Sequence, residues 1–425
     1  MKSKRPFLYL IVSHYPYGFA EPFLKDELKI IAKQFEKIYL ILPERNADSE
    51  KKLLSFVPEN AQIIEFNIAP SGLQKLSTLF NWFSEAWTLE RDFIKTNYGQ
   101  KNDLFHLKTL LGFQAKASVF ANEMELLFKI HNHPKDKIVL YSYWFSYFAS
   151  GMAILRDRYP QLRAVTRVHG WDCFYYVSPG NYLPLRPWTI SKLDSTNPIS
   201  ESGVNHLKMK LKGIQTERIK CYRLGIEDLN EPIEVKKTKG RLRILSIAFI
   251  RPVKRIDRII KAIEKINHSE IEWIHIGASF TNDNSIEKEA EDLIRNKSNV
   301  SFLFLGDKSK EFIYDFLKNR NADILLCTSE SEGIPVSMME AMGHGMPVLS
   351  LNVGGVSEIV EDEFNGSLMP ANSDAESIAA YLIRWAEMDQ AEYFKFSQNA
   401  YKTYQNKYRA KENHLQFFNE VLNIE

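Results

Sequence analysis

At 425 residues the chain is too long for one ordinary core, and at ~100–200 residues per domain it predicts two or three domains. With 44% hydrophobic residues, 25% charged residues and a formal charge of +2, the composition is that of a soluble globular protein and gives no electrostatic case for nucleic acid as a partner. Three widely spaced cysteines, Cys173, Cys221 and Cys327, argue against a disulfide framework and a cysteine zinc site, and fit a reducing cytoplasm.

The opening "MKSKRPFLYLIVSHYP" has a basic start, but its apolar run is only about seven residues with no small-residue cleavage site after it, so it reads as a first strand. No stretch reaches the ~20 apolar residues that span a bilayer. The loop "HYPYGFA" leads to a helix, "EPFLKDELKIIAKQF", with Leu24, Leu28, Ile31 and Phe35 at helical spacing and Pro22 in its first turn. "KIYLILP" is the next strand, and the pattern returns at "KIVLYSYW", a helix through Asp157, the strand "RAVTRVHG", then "DSTNPIS" and "IKCYRLG". Such alternation implies a parallel sheet wrapped by helices.

Residues 72–135 break this rhythm with helical segments rich in aromatics and lysines, such as "LSTLFNWFSEAW" and "MELLFKIHNH". They read as a helical insertion whose aromatics either pack onto the first sheet or face membrane lipid or a lipid-linked acceptor. The apolar pattern then lapses, and a charged linker is expected near 231–240. A second alternating run follows: "RLRILSIAF", a helix with Ile256, Ile259, Ile260, Ile263 and Ile266 on one face, "IEWIHIG", "VSFLFLG", "KEFIYDFLKNR" and "ADILLCTS". Three helical segments after residue 373 close the chain. Two such domains predict a cleft between the carboxyl ends of two sheets, where ligands of these folds bind.

In "TSESEGIPVSMMEAMGHGMPVLSLNVGGVSEIV" a buried strand leads through a loop carrying Glu332 into a helix opened by Pro335, with Glu340 more than one turn inside it. A loop carboxylate beside helix-start N–H groups can accept bonds from sugar hydroxyls while those N–H groups favour a diphosphate, and a deeper carboxylate can grip a diol. The bland alternatives are a helix cap at Glu332 and a solvated helix residue at Glu340. "GGVSEIV" supplies a second glycine-rich helix entry at the same sheet edge, and two such entries side by side suggest a phosphate cradle.

This stretch resembles the large retaining glycosyltransferase family of the GT-B fold, family 4 type, whose signature is two glutamates separated by seven residues with Ala-Met and Gly-x-Pro-Val after them. The resemblance implies that Glu340 binds the nucleotide ribose, that Glu332 contacts the donor sugar, and that Gly333 and Ile334 offer backbone N–H groups to the donor. It also implies that Lys254, in "ILSIAFIRPVKRIDRIIKAI", lies on the donor phosphates. Phe249 stands where the family carries an arginine, leaving Arg251 or Arg255 as its substitute, with a solvated helix residue as the alternative for Arg255.

"VTRVHGWDCFYYVSPGNYLPLR" is similar to the His-Gly-x-Asp segment of transferases that build bacterial surface polysaccharides, which implies His169 near the reacting carbon of the donor sugar. Asp172 reads equally as a turn cap. Gly18 lies in a loop that in the family approaches donor and acceptor, and Glu21 is either a helix cap or an acceptor contact.

There is no dinucleotide-binding G-x-G-x-x-G, P-loop, H-E-x-x-H or Asp-x-Asp, so the diphosphate is expected to be neutralised by Lys254 and helix ends, without a metal or a bound cofactor.

The expected architecture is α/β and GT-B, with two Rossmann-like domains facing each other across a deep cleft. An acceptor domain occupies 1–230, a donor domain 240–405, and a last helix at 406–425 packs back on the first domain. The expected activity is retaining transfer of a hexose-type sugar from a nucleotide diphosphate sugar to a saccharide or lipid-linked acceptor during bacterial surface polysaccharide or glycan synthesis. The expected site of action is the cytoplasm, extending to peripheral association with the inner membrane face. A nucleotide-sugar 2-epimerase of the same fold and a non-catalytic nucleotide-sugar-binding protein are the rival readings.

Overall fold

A computed structural model describes residues 5–17, 21, 23–43, 55–78, 84–99, 103–211, 216–227, 229, 236–279, 284–319 and 321–423. The chain divides into two compact units, one of Met1–Leu224 with Ala410–Glu425 and one of Gly225–Arg409. The seams expected near 230 and 405 thus fall at 224/225 and 409/410. Gly18, Pro22 and residues 231–235 of the expected linker lie outside the described residues.

In the first unit six parallel strands, β1 (Phe7–Ile11), β2 (Lys37–Leu42), β3 (Ala61–Glu65), β4 (Ile138–Ser142), β5 (Arg163–Val168) and β6 (Ser195–Pro198), lie in the order β3-β2-β1-β4-β5-β6. β1, β2 and β4 are continuous apolar runs because both faces of the sheet are covered. β3 escapes sequence reading since "AQIIE" is a half-exposed edge strand without a strong apolar signal. "IKCYRLG" adds no strand, only a single bridge between Thr196 and Ile219.

The insertion forms helices Gly72–Ser77, Glu85–Tyr98 and Asp103–His131. Leu110, Ala117, Phe120, Ala121, Met124 and Phe128 of the last enter the core. A Cβ on Gly151 would stand 2.5 Å from the Phe120 ring and 2.8 Å from the Ala117 carbonyl, so that glycine lets helix Tyr147–Arg158 approach closely.

The C-terminal segment, a helix at Ala410–Phe417 and a π-helical turn at Phe418–Leu422, belongs to the same unit. Phe417, Phe418, Val421 and Leu422 pack with Leu24, Leu28 and Tyr141. Beneath them lies a fully buried polar cluster. The Arg167 guanidinium stacks 3.8 Å above the Phe417 ring, its Nη2 stands 3.6 Å from Glu27, and His414 Nδ1 lies 3.5 Å from the same carboxylate. Burial and the Arg167 charge push His414 down to about 3, so it folds as neutral imidazole, while burial pushes the Glu27 carboxyl up.

The second unit repeats the plan with β7 (Arg241–Ile247), β8 (Glu270–Ile276), β9 (Val300–Phe304), β10 (Ile324–Cys327), β11 (Val348–Leu351) and β12 (Gly366–Met369) in the order β12-β11-β10-β7-β8-β9, again parallel. Helix Ile256–Glu264 buries Ile256, Ile259, Ile260 and Ile263 on this sheet, each contributing about 1.5–3 kcal/mol.

In both sheets the strand order reverses once, between β1 and β4 in the first and between β7 and β10 in the second. At such a switch point the connections leave in opposite directions and open a crevice at the strands' carboxyl ends.

Candidate active site

At the second sheet's switch point, the loop after β7 makes one 3₁₀ turn, Pro252–Lys254, and enters helix Ile256–Glu264 through Arg255, whose φ of 48° is left-handed. The loop after β10 carries Glu332. The loops are tied by Glu330 N–H donating to the Val253 carbonyl (2.9 Å) and Thr328 Oγ1 donating to the Arg255 carbonyl (2.9 Å). Held there, Lys254 Nζ and Glu332 Oε1 lie 2.6 Å apart, and Cys327 Sγ is 3.8 Å from the same oxygen. Burial, followed by the Glu332 charge, pushes the Cys327 thiol up, so it stays protonated. Ser246, Lys254, Thr328, Glu332, Pro335 and Ser337 help line a small pocket, part of it open to solvent.

The bland alternatives for the two glutamates fail. Pro335, not Glu332, is the N-cap of helix Val336–Gly343, and it receives no side-chain capping bond. Glu340 is buried, with 7% of its surface exposed, rather than solvated. Gly333 is half-buried, and Ile334 is in the core. The second glycine entry lies directly on the first: Gly355 N–H donates to the Glu332 carbonyl at 3.2 Å. At Gly354, φ is +53° and a Cβ would stand 1.8 Å from that carbonyl.

Of the two arginine candidates, Arg255 is ion-paired. Its guanidinium pairs with Asp257 (2.9 Å) and with Glu330, which together hold it above the usual arginine range, and Asp257 is pulled down to about 2. It is therefore not a freely solvated residue. Arg251 is exposed, its guanidinium carbon 5.9 Å from the centre of the Phe249 ring.

At the first sheet's switch point, three loops meet. His169 directly follows β5 and is half-buried, with its ring 4.7 Å from Tyr143 and 4.4 Å from Trp144. Burial, with the Arg167 charge behind it, pushes His169 down to about 3, so the ring is neutral. Both of its nitrogens are shielded and have no hydrogen-bond partner among the described residues, a state costing about 1–3 kcal/mol per unsatisfied group.

Asp172 caps the turn that starts at His169, one of the two readings expected for it, while the helix cap expected at Glu21 is corrected. Asp172 has no exposed surface, and its oxygens accept from Phe145 N–H and His169 N–H, both at 2.6 Å. Burial raises it to about 6, and its bonds cap the turn at His169 and tie the β4 and β5 loops together. Glu21, 1% exposed, caps no helix: it accepts from the N–H groups of Ser13, His14 and Tyr15 and from Trp144 Nε1, at 2.6–2.9 Å. It fixes the loop after β1. Sequence reading missed Trp144, half-buried against the first unit's core, and Trp171, exposed on the short helix Gly170–Cys173.

Among the described residues no group of three or more His, Cys, Asp or Glu side chains gathers as a metal site. None of the described helices is long and apolar enough to cross a membrane.

Two parallel six-stranded sheets with side chains converging at both switch points define the GT-B class. The cyanobacterial sucrose-phosphate synthase of Thermosynechococcus elongatus shares this fold at a TM-score of 0.66, 15% identity and 98% coverage of each chain. Anabaena HepE, solved in complex with UDP and glucose, does so at a TM-score of 0.60, 15% identity, and 98% and 100% coverage of this chain and that one. Residues 229–403 match the family described as glycosyl transferases group 1. The amylovoran biosynthesis glycosyltransferase AmsK of Erwinia amylovora is 32% identical over 190 residues, 42% of this chain and 45% of that one. The chain spans about half the length of the curated relatives it matches.

Proposed function

We propose that the chain is a retaining glycosyltransferase that moves a hexose-type sugar from a nucleotide diphosphate sugar to a saccharide or lipid-linked acceptor. The observation that carries this reading is the 2.6 Å pair of Lys254 and Glu332 at the β7/β10 switch point, beside the start of helix Val336–Gly343. Lys254 and Glu332 partner each other. With donor present, Lys254 turns its charge to the diphosphate, and Glu332 is freed to accept from the sugar hydroxyls. Glu340 holds the ribose diol, and the N–H groups of Gly333 and Ile334 meet the donor. Arg251 or Arg255 assists at the phosphates.

As the glycosidic bond breaks, negative charge grows on the leaving phosphate, where Lys254 and the helix-start N–H groups stabilise it. The phosphate oxygen takes the acceptor hydroxyl's proton on the same face of the sugar, giving retention without a carboxylate nucleophile. His169, a neutral imidazole with two unsatisfied nitrogens, exchanges hydrogen bonds with sugar hydroxyls near the reacting carbon. Work on the cytoplasmic side of the membrane and in surface polysaccharide assembly are part of the proposal, and the amylovoran-biosynthesis relative supports the second.

The test is a melting-temperature screen against nucleotide sugars, followed by mass analysis of products with and without saccharide acceptors. A nucleotide sugar that raises the melting temperature and whose sugar mass appears on an acceptor supports transfer. An altered free nucleotide sugar without acceptor supports epimerisation. No turnover of any bound nucleotide sugar overturns the enzymatic reading.

A further inference from the structure

Beside His169, the first sheet's switch point carries an aromatic surface that reaches solvent at Trp171. Trp171 is 52% exposed. Its ring lies 5.4 Å from Trp144, whose ring lies 4.4 Å from His169, so the three rings run in series from solvent to the buried imidazole. A single exposed apolar side chain needs no explanation, but a held series does. Trp144 is clamped by its Nε1–H bond to Glu21 (2.7 Å), and Glu21 is itself fixed by three backbone N–H groups. Asp172 ties the backbone of His169 to that of Phe145, immediately after Trp144. Two fully buried carboxylates therefore set the positions of the loops that present the rings.

From this geometry we infer that Trp171 and Trp144 form a shelf for a pyranose ring of the acceptor, with His169 at its inner end. The inference rests on the transferase reading and adds to it the acceptor's chemistry at this spot: a saccharide unit, bound by its face. The axial C–H groups of a pyranose carry partial positive charge and lie well on the negative face of an indole, while the ring's hydroxyls stay at its rim. The unsatisfied His169 nitrogens are the polar complement that a hydroxylated ring supplies and an acyl chain does not. A rigid, amphipathic indole loses little conformational freedom on binding, which suits a sugar that must be held at one angle.

The experiment is saturation-transfer NMR on the full chain with lactose, maltose and cellobiose as probes, comparing the unmodified protein with Trp171→Ala and Trp171→Phe. Saturation of at least one disaccharide is expected, weakened roughly tenfold in affinity by Trp171→Ala, the scale for truncating an aromatic anchor, and largely restored by Trp171→Phe. Equal saturation in the alanine variant, or none in the unmodified protein, overturns the shelf. Melting of Trp171→Ala alongside the unmodified chain identifies any loss due to misfolding, and in that case an unaltered Trp171→Phe response to all three probes is required for the inference to stand. The response of the unmodified protein to UDP-glucose, ADP-glucose and GDP-mannose tests the transferase reading separately. No response there, with disaccharide binding lost in Trp171→Ala, sinks that reading and leaves a saccharide shelf.

Discussion

Lys254 and Glu332, 78 residues apart in the chain, form a 2.6 Å ion pair across the loops that follow β7 and β10. Both side chains are partly exposed, at 27% and 10%, so the pair contributes little to folding, less than about 1 kcal/mol. Its value lies in what each partner does once a donor separates them. Lys254→Ala is therefore expected to leave the melting temperature nearly unchanged while lowering kcat by roughly 10²–10³, as for removal of one charge-stabilising donor. Steady-state rates and calorimetric melting on one preparation check this. A large fall in melting temperature with modest loss of rate would assign the pair to the fold.

Glu340 is buried on the helix that starts beside Glu332. If it holds the ribose, Glu340→Ala weakens donor affinity by on the order of ten- to a hundredfold, the range for lost hydrogen bonds to a charged group. Titration calorimetry with the nucleotide sugar found in the melting screen reads this directly. Unchanged affinity removes the ribose assignment.

Gly354 tests the cradle without touching a charge. Its φ of +53° and the 1.8 Å approach of a would-be Cβ to the Glu332 carbonyl leave no room for alanine. Gly354→Ala must push the two glycine loops apart, which lowers stability by about 1–3 kcal/mol and weakens donor binding with it. Denaturant midpoints and donor titrations should shift together, and a silent variant would mean the loops are not held as described.

The diphosphate's counter-charge is expected from Lys254 and helix-start N–H groups. Turnover should then survive exhaustive chelation with EDTA. Activity lost to chelator and restored by Mg²⁺ or Mn²⁺ would replace this reading.

His414 gives the fold a defined acid response. Its folded value of about 3 lies below the ~6.5 of an unfolded histidine. Below pH ~6.5 the unfolded chain binds a proton that the folded chain refuses, so stability falls as pH drops from there toward 3, at about 1.4 kcal/mol per pH unit. His169, with the same folded value, adds a second such proton. His414→Gln should remove one of them, flattening the slope of unfolding free energy against pH between 4 and 6 by about one proton. Glu27 and Arg167, which face His414, remain in both proteins and cancel in the comparison. Identical slopes would mean that His414 takes up its proton in the folded state.

Much of the fold was legible because fully covered parallel strands are continuous apolar runs and their helices carry an isoleucine or leucine stripe. The edge strand β3 was not, since a half-exposed strand lacks that signal. Around the site, the spacing of Glu332 and Glu340 and the Gly-Gly entry were visible as local pattern. The fate of Arg255 was not, because it depends on Glu330, 75 residues away. Glu21 carries the same lesson: a carboxylate in a loop looks alike in sequence whether it meets a ligand or three N–H groups, and only the folded loops decide.

The return of Ala410–Glu425 to the first unit also sets an order of synthesis. Gly225–Arg409 is one uninterrupted stretch and can close as soon as it emerges, whereas the first unit is made in two instalments. Until Phe417 and His414 leave the ribosome, Arg167 and Glu27 have no lid, and the apolar residues around them stay open to water and to chaperones. The unit translated first is the one finished last.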